Sequence, residues 1–341
     1  MRKPPSFFVS RVSVLLFLCF TCAACGGSIA QSSADPAPSS ERFPGNQVYA
    51  LAWAPDGVRL ALGTRHGDIQ LWNTRSKTLL LTAKQRFGEV YALAWSPDGK
   101  ELASGGQDQT VHLWDTTTGQ QTFTYRSRES QGEMLTLAWS PYGKYLAEGS
   151  NDGIGQVWDT TTHTLVAAFS NFSGEDEVTA LAWSPDGRHL AEANTDRTVH
   201  IWDISTGSPP LAFRSHQDEV WAVSWSPDGS SLASGSWDGT VQVWDAATGR
   251  TRLTYRGHTA GVWAISWSPD GKELASASRD KTVQLWGAMT GKLRLSYRGH
   301  GSEVTKVSWS PNGTYIASAG DGGVVHLWQA TTGKQVWLLH L

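Results

Sequence analysis

The stretch His216–Trp244, HQDEVWAVSWSPDGSSLASGSWDGTVQVW, contains the unit that determines the fold. Two of its tryptophans, Trp225 and Trp244, each belong to a series of seven that runs along the chain. The first series is Trp53, Trp95, Trp139, Trp183, Trp225, Trp267 and Trp309, and the second is Trp72, Trp114, Trp158, Trp202, Trp244, Trp286 and Trp328. Both series advance by 42, 44, 44, 42, 42 and 42 residues. Such regular spacing indicates a repeat architecture, so the chain is predicted to contain seven copies of one unit.

Each unit is predicted to form four short antiparallel strands. The runs VWAVSW and SSLASGS alternate large apolar residues with small or polar ones, and the SPDG between them has turn chemistry. A DG turn leads to a third alternating run, TVQVW, and a further turn leads to a fourth, RLTYRGH. Four short strands per unit are typical of a propeller blade, which needs neighbouring blades to cover its faces. The sequence therefore predicts an all-β, seven-bladed propeller, with blades numbered one to seven in chain order.

The repeat resembles that of the WD-repeat β-propeller family. The dipeptide WD ends four of the units, at Trp114-Asp115, Trp158-Asp159, Trp202-Asp203 and Trp244-Asp245. In this family a loop His, a strand Ser, a turn Asp and the third-strand Trp form a hydrogen-bonded tetrad inside a blade. The resemblance implies this role for His216, Ser234, Asp238 and Trp244 in blade five, and for His258, Ser276, Asp280 and Trp286 in blade six. Other blades depart from the pattern, with Glu148 and Glu192 at the Ser position of blades three and four.

These Ser, His and Asp residues do not indicate a hydrolase, because they recur at fixed offsets and each has a structural role. No phosphate-binding loop, metal-ligand cluster or isolated nucleophile and base stands outside the repeat. Three further histidines, His112, His200 and His326, share another repeat position, where we expect strand-surface polar residues rather than ligands. We therefore expect no catalytic residue, no metal and no cofactor.

The first 24 residues are predicted to be an export signal. Arg2, Lys3 and Arg11 give a basic start, and residues 12–24, VSVLLFLCFTCAA, form an apolar run too short to span a bilayer comfortably. The following CGGS resembles a bacterial lipoprotein signal, in which Cys25 would be lipidated. Cleavage after the small-residue pattern that ends at residue 30, releasing a secreted soluble protein, is the alternative, and an uncleaved membrane anchor is a third possibility.

Residues 25–46 are rich in Ser, Ala, Pro and Gly and are predicted to be a disordered tether, with the propeller at 47–341. Removing the three basic residues of the signal from the 28 in the chain leaves 25 against 31 acidic residues, a net charge of −6. This charge argues against nucleic-acid binding. We expect a monomer that contacts the membrane only through its lipid anchor. Every blade, including the seventh, is expected to form from one continuous segment.

Variation among the units predicts which face binds a partner. The turns after the first and third strands are nearly invariant, whereas the loops on the opposite face differ from unit to unit, as a recognition surface would. The candidate contact residues on this variable face are Trp221, Trp237, Trp263, Arg279, Tyr49, Tyr91 and Arg65. Acidic residues precede the first strand in five units, at Glu89, Glu133, Glu177, Glu219 and Glu303. Trp and Arg are favoured at the energetic centres of protein interfaces.

These observations predict a non-enzymatic scaffold, displayed outside the cytoplasmic membrane, that binds a protein or peptide. We expect Trp221, Trp237, Trp263 and Arg279 to come close together across adjacent loops and to form the main contact. A small-ligand or glycan-binding propeller is the alternative, because aromatic platforms around a channel would also serve that function. An enzyme is the least favoured class.

Overall fold

The fold is known from a computed structural model that describes residues 46–85, 88–126, 130–170, 176–206 and 211–341. The predicted signal, the lipidation site Cys25 and nearly all of the predicted tether lie outside these ranges. Within them every regular element is a β-strand, and no helix there could cross a membrane.

The strands follow one another in groups of four. Blade one contains β1 (Val48–Trp53), β2 (Arg59–Thr64), β3 (Asp68–Asn73) and β4 (Thr78–Lys84). Blade two contains β5 (Val90–Trp95), β6 (Glu101–Gly106), β7 (Val111–Asp115) and β8 (Gln121–Tyr125). Blade three contains β9 (Met134–Trp139), β10 (Tyr145–Ser150), β11 (Ile154–Asp159) and β12 (Leu165–Ser170). Blade four contains β13 (Val178–Trp183), β14 (His189–Asn194), β15 (Val199–Asp203) and β16 (Leu211–Phe213).

The remaining three blades repeat this order. Blade five contains β17 (Val220–Trp225), β18 (Ser231–Ser236), β19 (Val241–Asp245) and β20 (Thr251–Tyr255). Blade six contains β21 (Val262–Trp267), β22 (Glu273–Ser278), β23 (Val283–Gly287) and β24 (Leu293–Tyr297). Blade seven contains β25 (Val304–Trp309), β26 (Tyr315–Gly320), β27 (Val324–Gln329) and β28 (Gln335–His340).

Each blade is a four-stranded antiparallel sheet whose strands pair in chain order. In blade five, for example, Val223 pairs with Ser234, and Ser234 pairs with Gln242 on the next strand. A β-bulge at the start of the innermost strand recurs in all seven blades. Because the strands are antiparallel and pair in chain order, the turns after the first and third strands lie at one end of every sheet. The loops that carry the candidate contact residues lie at the other end. The predicted seven-bladed propeller is confirmed.

The hydrophobic core is divided into seven clusters, each shared by two neighbouring blades. Between blades five and six, Val241 and Tyr255 of one blade pack with Val262 and Trp286 of the next. Because the apolar side chains of a blade point to both of its faces, one blade alone would leave them in water, so burial requires the complete ring.

The ring closes between blades seven and one. Leu327 and Leu339 of blade seven share a cluster with Val48 and Leu60 of blade one. The innermost strands β1 and β25 are also in contact. Blade seven takes its outermost strand, β28, from its own segment, so each blade in the described part of the chain is formed by one continuous segment, as predicted.

Candidate partner-binding face

The loops of blade five are held by a network of buried polar groups. Trp244 Nε1 donates a hydrogen bond to Ser234 Oγ at 2.7 Å, and that oxygen lies 2.7 Å from His216 Nε2. The other ring nitrogen of His216 lies 3.1 Å from Asp238 Oδ2. Burial alone would raise the pKa of Asp238, but hydrogen bonds from His216 and Thr240 lower it overall, so the carboxylate is ionised.

Blade six contains the same arrangement, with His258 Nδ1 2.8 Å from Asp280 Oδ2 and His258 Nε2 2.7 Å from Ser276 Oγ. Trp286 Nε1 donates to Ser276 Oγ at 3.1 Å. In both blades the His lies in the loop before the first strand and the Asp lies in the turn after the second. The network therefore fixes two loops of the variable face to the interior of the blade.

Three other histidines differ from the sequence-based prediction in their exposure to solvent. The expectation that His112, His200 and His326 lie on strand surfaces is wrong, because all three are buried. The hydroxyl of Tyr297 in the preceding blade, for example, lies 2.8 Å from His326 Nδ1. His112 Nε2 lies 2.8 Å from Asp108 Oδ2, and the His326 ring is 3.9 Å from that of His300. Burial lowers the pKa of His326 to about 4, so this ring is neutral. The described residues contain no group of three or more His, Cys, Asp or Glu able to hold a metal.

Three indoles from blades five and six meet on the variable face. The ring centroids of Trp221 and Trp263 are 4.9 Å apart, those of Trp237 and Trp263 4.7 Å, and those of Trp221 and Trp237 6.1 Å. Trp221 and Trp263 come from the innermost strands, and Trp237 comes from the turn between β18 and β19. All three side chains are half-buried, so each keeps part of its apolar surface in solvent.

Arg279 completes this group from the equivalent turn of blade six. Its Cζ lies 4.5 Å from the centre of the Trp237 ring, and its Nε donates to Glu303 Oε1 at 3.1 Å. The second oxygen of Glu303 accepts a hydrogen bond from Trp263 Nε1 at 3.4 Å. One carboxylate of blade seven therefore orients both an indole and a guanidinium of blade six. We call Trp221, Trp237, Trp263 and Arg279 the tryptophan cluster.

A smaller group of aromatic side chains with an arginine lies on blades one and two. The rings of Tyr49 and Tyr91 are 5.6 Å apart, and Tyr91 donates to Glu89 Oε2 at 2.9 Å. Arg65 Nε lies 3.4 Å from Glu89 Oε1. The seven candidate contact residues therefore form two groups, the tryptophan cluster and the set Tyr49, Tyr91 and Arg65.

Acidic side chains lie close to one another on blades two to five of this face. Burial, and then the charge of neighbouring glutamates, raises the pKa of Glu177 and Glu133. For Glu177 these neighbours are Glu219 and Glu133, and for Glu133 the neighbour is Glu89. The carboxyl groups thus destabilise one another's charge, and a positively charged partner would relieve this repulsion.

The sequence matches the models of two known protein families. Residues 47–252 match the family described as the IFT122 first beta-propeller, and residues 249–287 and 291–329 match the WD domain, G-beta repeat. The chain belongs to the WD-repeat β-propeller family. No curated protein matches it. WD-repeat propellers are generally protein-interaction scaffolds and are typically not enzymes.

The WD-repeat propeller also has a feature that the repeat pattern did not predict, on the face formed by the nearly invariant turns. Tyr142 is 78% exposed there and lines two open cavities. The signal in the sequence is the turn SPYG at Ser140–Gly143, where four other blades have SPDG. A tyrosine at that position contributes nothing to turn geometry, so its exposure needs another explanation.

Proposed function

We propose that this WD-repeat propeller is a non-enzymatic scaffold that binds a protein or peptide through the tryptophan cluster. The supporting observation is that three half-buried indoles and a guanidinium contact one another on a face where the repeat does not require them. The N–H groups of Trp221 and Trp263 already donate to Glu219 and Glu303, so a partner that covers these two indoles leaves neither donor unsatisfied. Covering their apolar faces then contributes favourable free energy.

Rigidity is the second argument for this site. His216 and Asp238 fix the loop and the turn that surround Trp221 and Trp237, and blade six has the equivalent pair. Gly261 permits the close approach of Trp237, because a Cβ at that position would lie 3.2 Å from the Trp237 ring. A preorganised site loses little conformational entropy on binding, which favours affinity. The acidic side chains on blades two to five favour a partner with basic residues.

A glycan is the second candidate ligand, since indole faces beside carboxylates can hold a sugar ring. The geometry favours a protein instead. The planes of Trp221 and Trp237 lie at 70° and 86° to that of Trp263, which makes a corner rather than a flat platform. A corner of this kind suits an inserted side chain better than a stacked sugar.

The experiment compares two tryptophans of blade five. Trp237→Ala is expected to weaken partner binding by about 2 kcal/mol or more, because it removes the centre of the cluster, while the Tm stays close to that of the parent. Trp244→Ala is expected to lower stability by roughly 3–5 kcal/mol, because Trp244 is only 2% exposed and its removal leaves a cavity. Binding is measured by retention of envelope proteins and on a glycan array.

Met289→Ala is the matched surface control, since Met289 is 54% exposed in a turn at the opposite end of blade six. It should change neither binding nor Tm. If Trp237→Ala keeps every interaction of the parent, or unfolds as readily as Trp244→Ala, the tryptophan cluster is not the contact site. Retention of glycans alone would favour the second candidate.

We further propose that the propeller is displayed outside the cytoplasmic membrane, anchored through Cys25. The support comes from the sequence, where Cys25 follows an apolar run and two alanines and precedes a Ser/Pro-rich stretch. Cys25→Ser is then expected to release the protein from membranes, as measured by fractionation. A mature N-terminus at Gln31, determined by mass spectrometry, would instead indicate secretion as a soluble protein.

A further inference from the structure

On the face opposite the tryptophan cluster, clefts lie between neighbouring blades. Each cleft lies beside the first-series tryptophan of the later blade of the pair. In the cleft between blades one and two, Arg59 occupies this space. Its Cζ lies 4.8 Å from the centre of the Trp95 ring, its Nε donates to Asp56 Oδ2 at 2.6 Å, and its Nη2 donates to the Gly99 carbonyl at 3.0 Å. Thr116 receives a further hydrogen bond from Nη1 at 3.1 Å. An arginine of the chain itself thus fills the cleft.

Two other clefts are filled by different side chains of the chain. Between blades six and seven, Arg294 reaches across and donates to the Ala330 carbonyl at 2.9 Å, while also pairing with Glu273. Between blades three and four, the Tyr145 ring stacks on Trp183, with 15° between the planes and 6.0 Å between the centroids. Position 59 of blade one corresponds to 145 in blade three, whose ring fills the cleft directly, and to 273 in blade six, whose carboxylate holds Arg294.

The cleft between blades four and five is open, with a volume of about 760 Å³. Three of its lining residues, Asp186, Trp225 and Gly229, are the repeat equivalents of the groups that hold Arg59, namely Asp56, Trp95 and Gly99. The residue in the position of Arg59 is His189, whose ring centroid is 6.4 Å from that of Trp225. The groups that hold the Arg59 guanidinium therefore have equivalents in this cleft, but the cleft has His189 in place of the arginine.

The electrostatics of this cleft also favour a cation. Asp203 and Asp228 line it together with Asp186, and no lysine or arginine is among the described lining residues. Hydrogen bonds from Ser184 to Asp186, from Ser205 to Asp203 and from Ser226 to Asp228 lower the pKa values of these carboxyls, so all three are charged at neutral pH.

The Gly229 carbonyl in this cleft also lacks a side-chain donor that its equivalent in blade two has. In blade two Thr116 donates its hydroxyl to the Gly99 carbonyl at 2.9 Å, but blade five has Ala246 at that position. Ala246 cannot supply the equivalent donor to Gly229. Tyr142 forms another wall of the cleft and packs beside Gly187, where an added Cβ would lie 3.3 Å from its ring.

We propose that the cleft between blades four and five binds an arginine side chain from a basic segment of a protein partner. The guanidinium lies over Trp225, donates to Asp186 and the Gly229 carbonyl, and reproduces in a complex the arrangement that Arg59 makes within the chain. Lysine fits less well, because its single ammonium cannot reach a carboxylate and a carbonyl in one plane while stacking on an indole. A related cleft between blades two and three, of about 460 Å³, shares Tyr142, but there Lys100 already lies 3.3 Å from Asp98.

The test uses the full chain and three matched peptides, Ser-Gly-Arg-Gly-Ser and its lysine and citrulline analogues. NMR follows the indole N–H signal of Trp225. The arginine peptide is expected to shift this signal, the lysine peptide to bind about tenfold more weakly, and the neutral citrulline peptide not to bind. An arginine peptide that leaves the Trp225 signal unchanged, or a citrulline peptide that binds equally well, would overturn the proposal.

Two variants test whether the arginine peptide binds in the cleft between blades four and five. His189→Arg supplies the missing guanidinium from within the chain, so it should weaken the arginine peptide by at least about tenfold without lowering the Tm. Asp186→Asn should also weaken it, while the turn stays intact, because Asn312 occupies the equivalent position in blade seven. Undiminished binding to both variants would contradict the proposal, as would a neutral oligosaccharide that shifts Trp225 when the arginine peptide does not.

Trp237→Ala separates this proposal from the function of the tryptophan cluster. It should leave the response of Trp225 to the arginine peptide unchanged, because the two sites lie at opposite ends of the blades. Loss of the Trp225 response in this variant would contradict an independent second site.

Discussion

At the scale of single residues, two buried carboxyl groups distinguish blades three and four. Glu148 and Glu192 occupy the position at which blades two, five, six and seven have the tetrad serine, and they are 3% and 0% exposed. Trp202 Nε1 donates to Glu192, in the way that Trp244 donates to Ser234. Burial raises the pKa of each carboxyl to about 7, because the charged form would lose its hydration.

These carboxyls predict a stability that falls as the pH rises toward 7. The folded protein binds protons at Glu148 and Glu192 more tightly than the unfolded chain does. Their contribution to the free energy of unfolding is therefore fully present below the unfolded pKa of 4.5 and is lost as the pH rises through about 7. Each carboxyl contributes on the order of 3 kcal/mol to this difference. Urea unfolding at about pH 5 and about pH 8 measures it.

The control for this prediction is the double variant Glu148→Gln and Glu192→Gln, which cannot titrate at these positions. Its stability should change less between the two pH values than that of the parent. An equal change in both proteins would mean that other groups cause the pH dependence. The sequence shows that Glu replaces Ser at these positions, but it cannot supply the burial that shifts the pKa, because burial depends on how tightly the next blade packs.

At the scale of the strand pair, blade three lacks the β-branched side chain that most blades place opposite an aromatic residue of the outermost strand. Gly155 stands where every other blade has Val or Ile, and its partner across β11 and β12 is Phe169. A Cβ on Gly155 would lie 1.9 Å from the Phe169 ring, so the aromatic ring fills the space of the missing side chain. Blade one instead pairs the large Ile69 with the small Ala83.

Gly155→Val, although it restores the residue common to the other blades, is therefore expected to destabilise the protein by roughly 1–3 kcal/mol through overpacking. Adding Phe169→Ala should recover part of this loss, because the pair then resembles Ile69 and Ala83 of blade one. Gly301→Ala is the neutral control, since an added Cβ there meets nothing within 4 Å. Thermal unfolding of the three variants measures these effects, and a more stable Gly155→Val protein would contradict the argument.

The strands themselves could be predicted almost completely, because alternation and turn residues are local properties of the repeat. The proximity of Trp221 and Trp263 also followed from the sequence, since they occupy one repeat position in adjacent blades. The link through Glu303 did not, because it joins blade six to blade seven by side-chain rotamers. The cleft between blades four and five was missed because its walls come from different units, and reading each unit alone does not reveal what Arg59 does for its neighbour.

At the scale of the whole molecule, seven clusters between blades make stability a property of the ring. Deleting residues 216–257 removes one complete unit and joins Ser215 to His258, which keeps the loop chemistry of the next blade. We expect this six-unit chain to unfold at lower temperature and over a broader range than the parent, because it must strain its remaining interfaces or leave one open. Calorimetry measures both quantities, and an equally sharp and late transition would contradict a seven-blade ring.

The closing contact of blades seven and one also makes the order of the blades cyclic. Gln47 Nε2 donates to the Asp321 carbonyl at 3.2 Å, and Leu341 N donates to the Gly323 carbonyl at 3.2 Å, so both ends of the propeller meet at one turn. A short linker could join them, and the chain could then be opened between any other two blades without dividing a sheet. The position at which translation starts within the ring is thus not fixed by the fold, and circular permutants that begin at different blades should all reach the same structure.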